Sequence, residues 1–447
     1  MSLLTVGATA AAFGTMLLAT RYFGAGSGVA VLAAVLTLTR ARRPADDSET
    51  HGWLRDLLRL PLIAALAAAV AVLLHRHIVL GAVLFTALIS IATWLPSLGA
   101  RGRAFGAAAR LPLIAMLIAP ASPHAPGGIL IDLLLIVTAA WLAQLYARLA
   151  QMLAARMGFN DLPAPGPQAG DRSKPGKISG YLRMSLQMAA AVLAAFAIGY
   201  PVFAAHWSWC VLTAYIVCAG SPSRGEVVYK GLLRLLGALA GTVLAAVVQK
   251  FLAPQGADAA VAIFASLFAG VWLREYNYAF WAACMTLTMA MLQAVAGVSN
   301  GDLNLRLLAI LVGALCAVAA AWLLLPLSTR SYARRVFADT LAAFDRSLQS
   351  TDQESGEELA RCLTRLRRLA PVLKFHMVVA RAGTESDHPA LWVVRTLSCS
   401  RSISNFEGDK PKLLRAIGLT RRTLARRDGS VYEALQAVEK IARGAEE

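Results

Sequence analysis

Long apolar segments recur along the first three quarters of this chain, and they constrain its fold more than any other feature. A transmembrane helix needs about 20 predominantly apolar residues. Twelve segments approach that length, at residues 3–20, 25–39, 58–74, 78–95, 107–119, 128–148, 181–199, 205–220, 228–251, 258–273, 277–298 and 305–325. Of the 447 residues, 57% are hydrophobic and 15% are charged, and the mean hydropathy of +0.58 excludes an ordinary soluble protein. We therefore expect an all-α, polytopic membrane protein with about twelve transmembrane helices.

The twelve segments divide into two sets of six. A stretch dense in Pro and Gly separates the sets and is typical of a flexible linker. The segment that starts at Asp56 resembles the one that starts at Gly231, which favours two six-helix halves related by an axis along the membrane normal. After the last segment, charged residues follow helical spacing and indicate a cytoplasmic helical domain. The predicted domains are a first half at 1–156, a cytoplasmic linker at 157–180, a second half at 181–327 and the helical domain at 328–447.

The formal net charge of +17 is a signal of membrane topology. Lys and Arg concentrate on the cytoplasmic side of membrane proteins. If the N-terminus is cytoplasmic, most of the basic residues lie in inner loops, and both termini and the linker face the cytoplasm. The outer loops then hold only Arg21, Arg76, Lys250 and Arg306. Trp207 and Trp209 would lie at the outer interface, where an aromatic belt explains them better than stacking on a substrate.

The basic runs of the C-terminal domain do not indicate a nucleic-acid partner. Residues 365–368 and 421–427 hold several arginines, but no aromatic residues are interleaved with them as in a single-strand binder. These runs are typical of solvated faces or of contacts with anionic lipids. Membrane lipids are therefore the expected partners, and nucleic acid is not.

Motifs for catalysis, metal ligation and cofactor binding are missing. The nearest approach to a phosphate-binding loop, at residues 170–178, has a wrong spacing and lacks the Ser or Thr that would hold magnesium. No H-E-x-x-H or G-x-S-x-G motif occurs, and the six cysteines include no C-x-x-C pair. We expect no enzyme, no cofactor and no metal.

A helical hairpin between Tyr200 and Ala246 contains the most informative stretch. An apolar segment rich in aromatic residues is followed by a polar turn and by a second apolar segment. On that second segment Arg234, Gly237 and Gly241 share one helix face, so that an arginine lies beside a Gly-x-x-x-Gly packing surface. Arg234 could bind an anion there, or its side chain could extend to the lipid headgroups.

The same stretch carries a resemblance to a known family. It contains, in order, Trp-x-x-x-Thr, a Ser-Pro-Ser-Arg-Gly turn and Arg-x-x-Gly-x-x-x-Gly, and further matching residues follow. They are Trp209, Thr213, Ser221, Pro222, Ser223, Arg224, Gly225, Arg234, Gly237, Gly241, Tyr278, Phe280, Trp281, Arg306, Gly313 and Pro326. This order resembles the signature of the fusaric acid resistance family of inner-membrane proteins, over roughly residues 180–330. The family includes exporters of aromatic carboxylic acids, and plant anion channels are distant relatives. The resemblance implies transport of organic anions.

Polar residues inside the apolar segments are candidates for lining a substrate path. In the eleventh segment Tyr278, Thr286 and Gln293 fall on one side of a helix, and Thr213 in the eighth segment could face the same cavity. The alternative is that these side chains form hydrogen bonds between helices.

Together these features lead us to expect a secondary transporter of the bacterial inner membrane that exports hydrophobic organic anions such as aromatic carboxylates. Its carboxylate would bind Arg234 or Arg224, and its ring would contact Tyr278 or Trp281. Proton coupling is expected, with Asp132 as the candidate proton carrier unless it lies hydrated at a helix end.

Two other functions stay open from the sequence. One is a passive organic-anion channel, which the scarcity of carboxylates within the apolar segments favours. The other is a membrane scaffold whose C-terminal helical domain recruits a cytoplasmic partner. The sequence also leaves open whether the chain forms a homo-oligomer.

Overall fold

The computed structural model describes most of the chain as α-helices. The described residues are 2–24, 28–40, 52–118, 129–157, 179–203, 206–251, 256–274, 276–295, 303–350, 352–379, 387–403, 406, 408–426 and 429–443. They fall into two compact units. The first consists of Met1–Ser221 and Lys230–Leu325, and the second of Pro222–Tyr229 and Pro326–Glu447.

Each of the twelve apolar segments coincides with one α-helix, which confirms the all-helical prediction for the described residues. The helices are α1 (Ser2–Tyr22), α2 (Gly28–Arg40), α3 (Gly52–Arg76), α4 (Ile78–Trp94), α5 (Ala100–Ile118), α6 (Ile129–Arg156), α7 (Gly180–Phe203), α8 (Trp207–Cys218), α9 (Arg224–Phe251), α10 (Gly256–Leu273), α11 (Tyr278–Val295) and α12 (Leu303–Leu323). A short 3-10 turn, Leu95–Leu98, follows α4. The first turns of α9, residues 224–229, belong to the second unit.

Five of the described helices are long and apolar enough to cross a membrane. They contain Ile78–Leu98, Leu134–Arg156, Gly180–Phe203, Arg224–Phe251 and Asn304–Leu323. Four further apolar helical stretches are shorter: Pro61–Leu74, Trp207–Cys218, Val261–Leu273 and Tyr278–Met291. The fold is thus consistent with a multi-pass membrane protein. The count of about twelve transmembrane helices, the two six-helix halves and the predicted domain boundaries stay predictions.

Helix α8 is shorter than the apolar segment 205–220, and the turn at its C-terminal end accounts for the two residues missing there. Ala219 has an extended backbone, and Gly220 has φ of 69°, a left-handed conformation that favours glycine. The Ser221 hydroxyl then donates a hydrogen bond to the carbonyl of Val217, at 2.9 Å. The helix therefore ends at Cys218, before the polar turn.

Small residues bring the helices of the first unit close together. Helix α6 packs against α1, α2 and α3, while α7 packs against α4, α8 and α12. Helices α8 and α12 contact each other, as do α10 and α11. Buried alanines such as Ala64, Ala140 and Ala143 form much of these contacts. Small side chains let helix backbones approach closely, as in the interior of membrane proteins.

Among its described residues, the second unit has five complete helices around an aromatic core. They are α13 (Thr329–Gln349), α14 (Gln353–Val379), α15 (Pro389–Ile403), α16 (Lys410–Arg426) and α17 (Val431–Ala442). Trp392 is fully buried, and the ring of Phe337 meets it edge-on at 5.4 Å between centroids. Ser328 and Ser430 cap α13 and α17, where their side-chain oxygens accept backbone N–H bonds.

The polar turn before α9 belongs to this second unit. The Gly225 N–H donates to Thr329 Oγ1 at 3.0 Å, and the Arg224 N–H donates to the Leu327 carbonyl at 3.2 Å. A Cβ atom at Gly225 would lie 2.5 Å from Thr329 Oγ1, so only glycine fits without displacement. Tyr229 completes the contact, with its ring centroid 5.4 Å from that of Phe375.

Candidate functional site

Helices α9 and α11 pack almost backbone to backbone. A Cβ atom at Gly237 would lie 2.6 Å from the carbonyl oxygen of Ala279. One at Gly241 would lie 2.3 Å from the Ala283 oxygen and 2.8 Å from Thr286 Cβ. Since real Cβ atoms do not approach so closely, the two glycines are what allows this helix spacing.

Arg234 lies on α9, one turn before Gly237, and its side chain is buried. It is 5% exposed, and its Nε atom has no hydrogen-bond partner among the residues that the structure describes. It is within electrostatic range of Tyr278, at the start of α11. A buried cation with an unmet donor is costly unless an anion or water satisfies it. The Nε–H group of Arg234 is therefore available to donate a hydrogen bond to an additional acceptor.

A second buried arginine lies on α12. Arg306 is 2% exposed, and its guanidinium carbon is 3.9 Å from the ring centroid of Trp209, on α8. This is a close cation–π contact, which is strongest where water is excluded. Arg306 is also within electrostatic range of Arg234. Two like charges in a low-dielectric interior repel each other, and an anion near both would relieve that repulsion.

Helices α8 and α12 also meet closely about two turns beyond Arg306 on α12. A Cβ atom at Gly313 would lie 2.2 Å from the Cys210 carbonyl oxygen and 3.0 Å from Thr213 Cβ. Thr213 is fully buried, and its hydroxyl has no hydrogen-bond partner in the described part of the chain. It lies one helical turn from Trp209, on the same side of α8. Thr213 thus adds an unsatisfied hydroxyl on the face of α8 that carries Trp209.

This arrangement can bind an organic anion. A guanidinium offers donors in a fixed fork that matches a carboxylate, and charge-assisted hydrogen bonds of this kind are stronger than neutral ones. The aromatic side chains of Trp209 and Tyr278 accompany Arg306 and Arg234 respectively. The local chemistry therefore fits a ligand that combines a carboxylate with an apolar ring.

The other residues predicted for the site lie elsewhere or are engaged. Trp281 packs into an apolar cluster formed by residues of α1, α2 and α10, and Arg274 lies over its ring at 5.7 Å. The Thr286 hydroxyl donates to the Ala282 carbonyl of its own helix, at 2.8 Å. Arg224 belongs to the second unit. The structure thus associates Tyr278 with Arg234 and also with Arg274, the residue that lies over the Trp281 ring.

Two predicted residues cannot be located at the side-chain level. Gln293 is part of α11 and Asp132 is part of α6, but both side chains lie outside the described residues. In the parts of the chain that the structure describes, no group of three His, Cys, Asp or Glu side chains could hold a metal ion.

Sequence reasoning missed the contribution of Arg306 and Trp209. It assigned Arg306 to an outer loop and Trp209 to an interfacial aromatic belt, whereas the structure buries the arginine over the tryptophan ring. A signal was present, since both residues stand in the motif order that carries the family resemblance. Their contact, however, joins helices that are far apart in the sequence.

In the described part of the chain, the fold combines five helices that are long and apolar enough to cross a membrane with the buried side chains of Arg234 and Arg306. Residues 188–320 match the family described as fusaric acid resistance protein-like, and this segment includes Trp209, Arg234 and Arg306. That segment therefore belongs to the family, which confirms the resemblance indicated by the motifs.

A curated relative is the p-hydroxybenzoic acid efflux pump subunit AaeB of Pantoea ananatis. It is 26% identical over 243 residues, which make up 49% of this chain and 37% of the relative. The match thus covers well under half of the relative's own length. No solved structure matches the chain.

Proposed function

We propose that this protein is a bacterial inner-membrane transporter that exports aromatic carboxylic acids. In this proposal the chain has about twelve transmembrane helices in two halves, and both termini are cytoplasmic. The observation that carries the proposal is the pair of buried arginines, Arg234 and Arg306, within electrostatic range of each other. Both lie in the segment that matches the fusaric acid resistance-like family.

The substrate carboxylate would bind Arg234. Its Nε is buried without a hydrogen-bond partner in the described part of the chain, so an incoming carboxylate would satisfy it without displacing a protein group. A hydrogen bond to a charged group contributes a net stabilisation of about 1.5–3 kcal/mol. The anion would also lower the repulsion between Arg234 and Arg306.

The aromatic ring of the substrate would contact Tyr278 and the edge of Trp209. Aromatic pairs at such contacts contribute about 0.5–1.5 kcal/mol beyond the area that they bury. A small aliphatic acid of equal charge would bind without this aromatic contribution. The site would therefore prefer aromatic over aliphatic carboxylates, in agreement with the efflux of p-hydroxybenzoic acid named for the Pantoea relative.

The relative is named as a pump subunit, which supports association with further protein components. Because the match covers 37% of that protein, we leave the identity of the partner and of the particular acid to experiment. A homo-oligomer would be one form of such an association.

Export against a gradient requires a driving force, and we propose the proton gradient. Asp132, in α6, is the candidate proton carrier, because ionisable residues inside apolar segments commonly mark proton paths in transporters. A passive anion channel would need no such group, and a scaffold would not move the anion at all.

Flux into proteoliposomes tests the proposal and separates these alternatives. The full chain is reconstituted, and uptake of radiolabelled 4-hydroxybenzoate is measured with and without an imposed pH gradient. Gradient-dependent, saturable flux is expected. Equal flux without the gradient would identify a passive channel, and flux no faster than in protein-free liposomes would exclude transport by the chain alone. Benzamide, which is neutral, serves as the matched control and should not be transported.

A further inference from the structure

Helix α16 of the second unit exposes a strongly basic face. At 100° per residue, Lys412, Arg415, Leu419, Arg422 and Arg426 fall within an arc of about 80°. All five side chains are exposed, and Leu419 is 60% exposed. We call these five residues the α16 basic face.

The opposite side of α16 holds the helix in the core. Leu413, Ile417, Thr420 and Leu424 are buried, and three of them belong to the apolar cluster of the second unit. The orientation of the helix is therefore set by packing, so that the α16 basic face points outward as a consequence of the fold.

All the charged side chains of helix α16 are basic. Residues 410–426 contain six Lys and Arg and no Asp or Glu. Arg421, which lies outside the basic face, forms an ion pair with Asp345 at 3.0 Å. A helix surface kept soluble by charge alone usually mixes both signs. Four cations without intervening carboxylates instead produce a local positive field.

We propose that the α16 basic face binds the surface of an anionic phospholipid bilayer. Juxtamembrane Lys and Arg residues are attracted to anionic headgroups, and an exposed leucine among them can enter the boundary between headgroups and acyl chains. Other parts of the same chain are suited to a bilayer, and they are connected to the second unit by a short segment. Among the described residues of the chain, five helices are long and apolar enough to cross a membrane, and α12 ends at Leu323, six residues before α13 begins at Thr329.

The bilayer fits this face better than a nucleic acid or a protein groove does. Stacking platforms for bases require aromatic side chains, and the α16 basic face has none. One leucine surrounded by four cations is too little apolar area for a stable protein interface. It is, however, the composition of a peripheral membrane contact, in which charge supplies most of the binding.

Spin-label accessibility in lipid nanodiscs tests the proposal. A single label is placed at Leu419→Cys in the full chain, in a Cys284→Ala background, because the other five native cysteines are buried. Nanodiscs of phosphatidylcholine alone are compared with an equal mixture of phosphatidylcholine and phosphatidylglycerol. Frequent collisions of the label with oxygen indicate that the label lies in the bilayer. Frequent collisions with a water-soluble nickel chelate indicate that it is exposed to water.

In the anionic nanodiscs we expect nickel collisions to fall and oxygen collisions to rise. Each cation near an anionic surface favours the bound state by about fivefold, so the bound state should dominate. High salt should reverse the change, because it screens the attraction. A label at Ala360→Cys, which is exposed on α14, is the matched control and should not respond to lipid charge.

Charge reversal distinguishes the α16 basic face from a general effect of anionic lipid. Arg415→Glu with Arg422→Glu should return the label at residue 419 to its water-accessible state, while a thermal unfolding temperature equal to that of the parent shows that the fold is kept. If the label is equally accessible to nickel in both lipids, or equally protected in both, the proposal is wrong. The test is independent of transport, so its failure would leave the proposed export untouched.

Discussion

Arg306 on α12 lies over the ring of Trp209 on α8, with its guanidinium carbon 3.9 Å from the ring centroid. A cation at this distance from an aromatic ring is attracted by the quadrupole of the ring. Trp209 thus helps to hold a buried cation in place. This contact, together with Arg234, makes the interior of the first unit locally positive.

We expect the Trp209 ring to influence substrate affinity, because it holds the Arg306 side chain in place. Trp209→Leu removes the cation–π contact, which in a buried site amounts to about 2 kcal/mol, so the apparent affinity for an aromatic acid should weaken by roughly tenfold or more. Trp209→Phe should give an intermediate loss. The measurement is the concentration dependence of 4-hydroxybenzoate flux in proteoliposomes.

Trp207 provides the control for that series. It is a tryptophan of the same helix, but its ring packs against Phe196, with centroids 5.5 Å apart. Trp207→Leu should change the apparent affinity less than Trp209→Leu does. Equal effects of both substitutions would contradict a specific role for the stacked pair.

Arg234 should require the geometry of its guanidinium as well as its charge. Lysine keeps the charge but offers no planar fork, so Arg234→Lys should lose most transport, by about tenfold or more, and Arg234→Gln should lose still more. Flux is normalised to the amount of protein in the membrane. Arg224→Lys, in the second unit, should retain transport, and an Arg234→Lys protein as active as the wild type would show that Arg234 is only a topological anchor.

Glycine packing between α9 and α11 offers a prediction about stability. Gly241→Ala introduces a Cβ atom 2.3 Å from the Ala283 oxygen, so α9 and α11 must separate, at a cost of about 1–3 kcal/mol. The thermal unfolding temperature of the detergent-solubilised protein should fall. At Gly231, on the same helix, the nearest atoms would be 3.7 Å away. Gly231→Ala should leave the temperature unchanged or raise it slightly, and a reversed order would refute the packing argument.

The second unit should become less stable in acid because of Glu439. This buried carboxylate accepts hydrogen bonds from Arg395 at 2.6 Å, Ser398 at 2.8 Å and Arg443 at 2.5 Å. Burial by itself raises its pKa, but the hydrogen bonds from Arg395 and Ser398 and the charges of both arginines outweigh burial and lower the pKa below its ordinary value of 4.5. The ionised Glu439 therefore stabilises the second unit fully above pH 4.5. This stabilisation is lost as the pH falls from 4.5 through the pKa of Glu439 in the folded protein.

Hydrogen exchange of α15 and α17 in the full chain, corrected for the intrinsic effect of pH on exchange, measures this dependence. Glu439→Gln should increase exchange at neutral pH, by the equivalent of about 2 kcal/mol, and should flatten the acid response. Glu433→Gln, at an exposed position of α17, is the matched control. An acid response of the same steepness in Glu439→Gln would assign the effect to other groups.

Coupling to protons should depend on Asp132. Asp132→Asn cannot release a proton, so flux should persist down a substrate gradient but no longer respond to an imposed pH gradient. Initial rates of 4-hydroxybenzoate flux at matched substrate gradients provide the measurement. Gradient dependence equal to that of the wild type would remove Asp132 from the mechanism.

Much of the fold could be predicted because it depends on local properties. Apolar length and helical spacing predicted the positions of helices α1 to α12 in the described part of the chain, and the same spacing indicated the helices beyond Pro326. The Gly-x-x-x-Gly motif likewise indicated close packing on the face that carries Arg234. These features can be read from a sequence because neighbouring residues on one helix determine them.

The end of α8 shows where local reasoning was incomplete. Apolar composition continues to Gly220, but the left-handed backbone of that glycine ends the helix at Cys218. The polar turn that follows was expected to offer Arg224 to the substrate. The backbone N–H groups of Arg224 and Gly225 donate hydrogen bonds to Leu327 and Thr329, which makes the turn part of the second unit, and a role of the Arg224 side chain in substrate binding stays a prediction.

The sequence by itself determined that the chain is helical, apolar and similar to the fusaric acid resistance protein-like family, since composition, periodicity and short motifs carry that information. Only the tertiary structure decided that Arg306, expected in an outer loop, is buried over Trp209 and within electrostatic range of Arg234. The physical reason is that these three residues lie on three different helices. Their proximity depends on how α8, α9 and α12 pack, and no periodicity within one segment encodes that packing.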